Sequence, residues 1–152
     1  MKLFAIAMLS PTLAHTIRYT TLSTNDQKEN SPATVACSSG EHGLLTHGYK
    51  TFGDLPTYPR VGGAPQILSW NLQYCGTCWE LTYTDAYGAH TALNFTAVNT
   101  GIYELEGFSI SLESMDVLTN GNALYLDGVT VTATRISKSA CGLWMQFMGE
   151  PF

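Results

Sequence analysis

The sequence predicts a mainly β, single-domain protein with one or two short helices, closed by two disulfides. Three observations carry this. Only 12% of residues are charged, about half the usual share, and Thr, Ser, Gly and Tyr are plentiful, a balance typical of extracellular β proteins. Several segments alternate with period two, while one alone has convincing helical spacing. Four cysteines follow an N-terminus that reads as an export signal. A length of 152 residues, 45% of them apolar, suits one domain with a proper core.

The N-terminal element comes first. Lys2 supplies a positive start, Leu3 to Leu9 form a short apolar run, and Ser10-Pro11 ends it. Thr12-Leu13-Ala14 places small residues where cleavage needs them, so the expected signal peptide is 1–14, cut after Ala14. The competing reading is a buried N-terminal segment. No later stretch reaches the roughly 18 apolar residues of a membrane span.

Residues 16–24 read as a strand and 25–33 as a polar loop. Order resumes at Thr34 to Cys37. Residues 38–48 carry three glycines around Leu44-Leu45, which suggests short strands and tight turns. Residues 53–65, rich in Pro and Gly, read as loop or short helical turns, and Gln66 to Trp70 as a helical turn. The clearest hairpin follows: Cys78 to Thr84, a turn at Asp85-Ala86-Tyr87-Gly88, and a return over Ala89 to Val98. Residues 99–107 read as a loop. Residues 108–119 place Phe108, Ile110 or Ser111, Leu112, Met115 and Leu118 at helical spacing, stopped by Asn120-Gly121-Asn122. Ala123 to Ile136 reads as strand, with Val129, Val131 and Ala133 on one face.

Charge excludes one class of partner. The net charge is −5 and the seven basic residues are scattered, whereas nucleic-acid binding needs clustered Lys and Arg. Cys37, Cys75, Cys78 and Cys141 allow three pairings behind an export signal. Cys75-Gly76-Thr77-Cys78 has thioredoxin-like spacing, but a redox pair opens a helix, where the dipole lowers the thiol pKa. This one opens the alternating run Trp79 to Thr84. Export likewise disfavours a four-cysteine zinc site.

Catalytic sets are missing. His15, His42, His47 and His90 show no metal spacing. No nucleophile elbow or phosphate-binding glycine loop occurs. Glycoside hydrolysis needs two carboxylates across a cleft, and none of Asp54, Glu80, Asp85, Glu104, Glu106, Glu113, Asp116 and Asp127 is marked as paired or buried. Glu104 and Glu106 would share a face on an extended stretch, but such like charges are usually solvated. No cofactor and no metal are expected. Eight tyrosines and three tryptophans suit sugars, which present apolar C–H faces inside a rim of hydroxyls. Tyr49, Tyr58, Tyr74 and Tyr87 lie in loops or turns and are surface candidates. Trp70 and Trp79 can instead pack beside the disulfides; for Trp79, next to a bridged cysteine, that is the expected role.

The runs Val35-Ala36-Cys37-Ser38-Ser39-Gly40 and Gly43-Leu44-Leu45-Thr46 resemble the first cysteine motif of cerato-platanins, as does Gly48 to Pro56. Gly62-Gly63 and Cys75 to Tyr83 resemble the centre of that family, and Val129 to Thr134 with Cys141-Gly142-Leu143 its end. The match covers about residues 16–143. The resemblance implies a six-stranded double-ψ β-barrel, related to the first domain of expansins. It implies the bridges Cys37–Cys75 and Cys78–Cys141. It also implies a secreted fungal protein, found in medium or cell wall, without clear hydrolase activity. Such a protein would bind chitin oligosaccharides or other wall glycans, loosen cellulose as expansins do, and elicit plant defence, in principle through a plant receptor. Some members gather at air–water interfaces.

Three departures qualify these implications. The family Asp at the end of the strand around Asn94 is here Asn99, and a second family Asp, in the final strand, is here Thr130. Amide for carboxylate keeps size and hydrogen bonding but removes acid–base chemistry. Residues 99–107 are longer and more acidic than expected. Beyond the expected domain, 15–143, a tail at 144–152 carries Trp144 and Phe147, read as a surface anchor or a gene-model error. The expected carbohydrate contacts are Asn99, Thr130, Tyr49 and Tyr74. Asn94-Phe95-Thr96 is a glycosylation sequon placed mid-strand, where poor use is expected unless Asn94 faces outward. The expected function is therefore glycan binding and elicitation without catalysis. The alternatives are a degenerate cellulase-like hydrolase and a surface-active structural protein.

Overall fold

The computed structural model describes residues 13–19, 27–102 and 107–143. Most of the expected signal peptide, the Glu104–Glu106 pair and the 144–152 tail lie outside them. Six strands close a barrel: β1 (Leu13–Tyr19), β2 (Val61–Ala64), β3 (Cys78–Thr84), β4 (His90–Thr100), β5 (Phe108–Ile110) and β6 (Val129–Ile136). Their order around the barrel is β1-β5-β2-β4-β3-β6. Pairs β1–β5 and β2–β4 run parallel and the remaining neighbours antiparallel. Two parallel pairs in a six-stranded closed sheet set this double-ψ architecture apart from an up-and-down barrel. Among the described residues one helix, α1 (Leu112–Leu118), completes the regular structure apart from short 3-10 turns.

Period-two burial builds the core. On β6, Val129, Val131 and Ala133 are buried and Thr130 and Thr132 exposed. Phe108 is the hub inside: Trp79 and His15 meet it edge-on at 5.4 Å, and Phe95 at 5.8 Å. Outside the sheet, loops over residues 32–59 and 65–77 add a second apolar layer containing Val35, Leu44, Phe52, Leu55 and Ile67. The bridges join Cys37 to Cys75 and Cys78 to Cys141, the pairing the resemblance implies. The first ties the two loop segments to each other, and the second ties the segment before Leu143 to β3. Closing loops of 38 and 63 residues removes unfolded-state entropy worth about 4 kcal/mol each.

Several elements differ from the sequence-based expectation. The first strand runs Leu13–Tyr19 rather than 16–24; residues 20–26 are outside the described set. Residues 38–48 are turns without strands. Residues 53–65 hold β2, whose glycines read as turn residues. A Cβ on Gly62 would run into the Ser109 carbonyl, and one on Gly63 into that of Thr100. The glycines mark close strand approach, not a turn. Residues 66–70 form a turn without helix, and β4 runs two residues past Val98 to Thr100. After it, Ile102 bridges Gly107.

The expected helix over 108–119 is split. Phe108 and Ile110 are buried on β5, where β1 and β2 pair with them. Ser111 then caps α1, its hydroxyl accepting from Ser114 N–H at 3.1 Å, so the helix starts only at Leu112. It ends through Asn120 and Gly121, both at positive φ. Likewise, Ala123–Tyr125 is a 3-10 turn and the last strand begins at Val129.

Candidate functional site

The loops converge on the C-terminal end of β4. Gly76 N–H donates to Ala97 O at 2.9 Å and Ala97 N–H to Thr77 O at 3.0 Å. The Thr77 hydroxyl donates to Tyr74 O at 2.7 Å and accepts from Trp79 Nε1 at 2.9 Å. Trp79 is thereby buried with its one polar atom satisfied, the core role expected of it. The hydroxyls of Thr57 and Thr96 share a buried 2.6 Å hydrogen bond on the same side.

Asn99 sits at this end, paired with Gly63 of β2. Its Oδ1 accepts from Ala36 N–H at 3.1 Å and from Thr100 N–H at 2.9 Å. Ala36 O in turn accepts from Asn71 N–H at 3.0 Å. Asn71 has φ 57°, in the left-handed region that Asn tolerates better than most residues. Its Oδ1 accepts from His42 N–H at 2.9 Å. Its side chain fills the place where a Cβ on Gly40, itself at φ 91°, would stand.

Trp70 immediately precedes Asn71 and is 57% exposed; Leu68 is exposed as well. An indole left in water beside neutral amides is the feature the sequence did not single out. Its signal was Ser69 and Asn71, polar residues on both sides of a tryptophan read as able to pack the core.

The remaining candidates are spread around this end. Tyr74, in the same loop, is half-buried with the Arg135 guanidinium 5.6 Å above its ring. Tyr49 packs partly against the core, and burial pushes its hydroxyl above the usual value. Tyr58 is half-buried and Tyr87, at the hairpin tip, almost fully exposed. Thr130 is exposed on β6 opposite Thr16. It stands one residue beyond the Tyr83–Val131 pair, near Thr84 and His90, the far end of β4 from Asn99. The other way round the barrel, Thr16 opposite it is followed on β1 by Ile17, the partner of Phe108, and Gly107 just before Phe108 bridges Ile102, three residues beyond Asn99. Asn99 and Tyr74 fall within one hydrogen-bonded end, and Thr130 stands on β6, between β1 and β3.

The Asn94 side chain is half-buried, and its Nδ2, the sequon's acceptor atom, donates to Ala140 O at 3.0 Å. Among the described residues no group of three or more His, Cys, Asp or Glu is placed to hold a metal ion. Asp54 Oδ2 accepts from Thr51 and Lys50 N–H at 2.8 and 2.9 Å. These donors, Thr51 first, hold its carboxyl below the usual range.

A family model described as Cerato-platanin matches residues 16–143. The chain belongs to the cerato-platanin family. A heat-stable 19 kDa antigen of Coccidioides posadasii is 43% identical over 109 residues, covering 72% of this chain and 69% of the antigen. An allergen of Aspergillus fumigatus is 37% identical over 116 residues, covering 76% and 70%. Among solved structures, cerato-platanin 2 from M. perniciosa superposes with a TM-score of 0.77 at 35% identity, covering 86% of this chain and 99% of that one. Cerato-platanin 3 from the same source gives 0.75 at 39% identity, covering 86% and 100%. The matched residues span five of the six strands whole, part of β1, and both bridges.

Proposed function

We propose that this cerato-platanin is a secreted, non-catalytic protein that binds cell-wall polysaccharide, chitin oligomers foremost, and elicits plant defence. The observation that carries the binding half is Trp70, 57% exposed and flanked by uncharged polar residues. A solvated indole is a stacking platform for the C–H face of a sugar, and amides and hydroxyls suit a neutral ligand. Trp70 and Tyr74 supply the aromatic surface, Tyr49 borders it, and Thr130 offers a hydroxyl to a chain long enough to follow the barrel around. No helix among the described residues is long and apolar enough to cross a membrane. The export reading rests on the 1–14 signal, and the 144–152 tail is read as an appended segment outside the domain. Relatives named as an antigen and an allergen fit proteins met by a host from outside the fungal cell.

The non-catalytic half rests on chemistry at two positions. Hydrolysis by a pair of carboxylates finds an amide at Asn99 and a hydroxyl at Thr130. Titration of chitin tetramer and hexamer, followed by tryptophan fluorescence and amide shifts, tests binding. The expected result is millimolar affinity, stronger for the hexamer, with the response lost in Trp70→Ala. No response at millimolar sugar sinks the binding reading. Sustained release of reducing ends from chitin oligomers or cellulose by pure protein sinks the non-catalytic one.

A second reading, surface activity, draws on Val117, Leu124 and Tyr125. These are 57, 71 and 85% exposed on α1 and the 3-10 turn packed beside it. Replacing all three by Ser should raise surface tension relative to the parent protein. If deleting the tail removes the activity and the triple variant keeps it, the patch is not its source.

A further inference from the structure

We infer that Asn99 is a positioning residue: it acts through Ala36 and Asn71 to hold Trp70 in place, and it does not itself contact the glycan. The inference rests on the reading of Trp70 as the sugar platform and concerns how that platform is built. Asn99 Oδ1 is already the acceptor of two backbone N–H groups, those of Ala36 and Thr100. Two donors converging on one side-chain oxygen leave that oxygen little capacity for a sugar hydroxyl, so a direct sugar contact would fall to Nδ2, which an Asp lacks.

The backbone bonded by Asn99 is the backbone that holds Asn71. The same Ala36 whose N–H is anchored on Asn99 offers its carbonyl to Asn71 N–H. Asn71 is then fixed a second time by His42 N–H on its Oδ1 and a third time by its seat against Gly40. These three constraints fall on the residue directly after Trp70. An exposed aromatic on a loop loses entropy when a ligand immobilises it; a clamp on its neighbour removes part of that cost in advance.

The geometry also accommodates either an amide or a carboxylate at this position. Both donors are N–H groups and both use a single oxygen, so Asp and Asn serve equally as acceptors. Under this inference the position needs an acceptor oxygen, and a charge there would be incidental to binding.

The test compares Asn99→Ala with Asn99→Asp. Chitin hexamer binding is read by titration, and hydrogen exchange at the Asn71 N–H and the Trp70 indole line are read by NMR. Asn99→Ala should weaken hexamer binding about five- to tenfold and speed exchange at Asn71. Asn99→Asp should restore most of both. Equal damage from Asp and Ala would mean that the amide itself touches sugar, and would overturn the inference. So would an Asn99→Ala protein with unchanged binding and Asn71 exchange, even one of lowered thermal midpoint. If Asn99→Ala does not fold, Asn71→Ala breaks the same path at the His42 bond and should give the same loss; unchanged binding in it overturns the inference. If the parent protein binds no hexamer, the platform reading fails by itself. The exchange arm still decides the relay: faster exchange in Asn99→Ala supports it, unchanged exchange refutes it.

Discussion

Asn99 and Thr130 make an instructive pair, since both stand where family carboxylates were expected and the barrel treats them differently. At the Asn99 end, loops fold over the strand, two backbone donors converge on one side chain, and an exposed indole stands on the clamped loop. On β6, Thr130 belongs to an alternating row, its neighbours Val129 and Val131 buried and its own side exposed in the regular sheet. The first region uses polarity to organise backbone. The second presents polarity to water. A polar residue in a motif therefore signals different things according to whether unpaired N–H groups lie within its reach.

The largest expected effect breaks the first region covalently. Replacing Cys37 and Cys75 together by Ser should cost about 2–5 kcal/mol of unfolding free energy. Exchange protection should fall first over residues 35–49 and 66–77 while the β3–β6 pairing stays protected, a pattern that exchange mass spectrometry can read. Loss of protection spread evenly over both regions would show that they are not separate stability units.

Gly62→Ala follows. Its new Cβ would meet the Ser109 carbonyl between β2 and β5, so a cost of about 2–4 kcal/mol is expected in urea unfolding. A neutral outcome would mean that β2 can shift, and that the base of the Asn99 region is softer than described.

Trp70→Ala should leave the unfolding midpoint within about 0.5 kcal/mol of the parent, as for other exposed sites, yet remove most chitin-oligomer affinity. Thr130→Val should reduce affinity only for the longer oligomers, by about two- to threefold, roughly one exposed neutral hydrogen bond. A larger loss in Thr130→Val than in Trp70→Ala would reverse the ranking of the two regions.

The smallest effect concerns acid. Asp54 has a carboxyl held below its usual value in the fold, so the unfolded chain binds its proton first as pH falls. Its contribution is complete above the unfolded value, about pH 4, and is lost as pH drops through the folded one. Asp54→Asn should flatten the stability profile below about pH 4. A profile as steep as the parent's would assign the acid sensitivity to other carboxylates.

Much of the fold was legible locally. The hairpin Cys78–Thr84 with its return strand, and the inward face of β6, follow from period-two alternation, which burial matches on β6 while Phe95 to Val98 of the return strand are all buried. β2 was not legible, because Gly62-Gly63 is the same signal whether a chain turns or lets two neighbours approach. Nor was the start of α1, since Phe108 and Leu112 fit a helical face with Met115 and Leu118 and also alternate with Ile110 as a strand, until Ser111 caps the helix. Trp70 was ambiguous because a tryptophan's burial depends on what covers it, and the cover is set by loops far away in sequence.

The sequence by itself determined the β character, the cysteine count and the scatter of its few basic residues. These are properties of composition, period and residue type, which exist before folding. Tertiary structure decided which polar residues meet. Asn99, Ala36, Asn71 and His42 come from three separate stretches of chain, and their hydrogen bonds exist only once β4 and the disulfide-pinned loops lie side by side. Convergence of donors on an acceptor is a property of distance in space, and no local pattern encodes it.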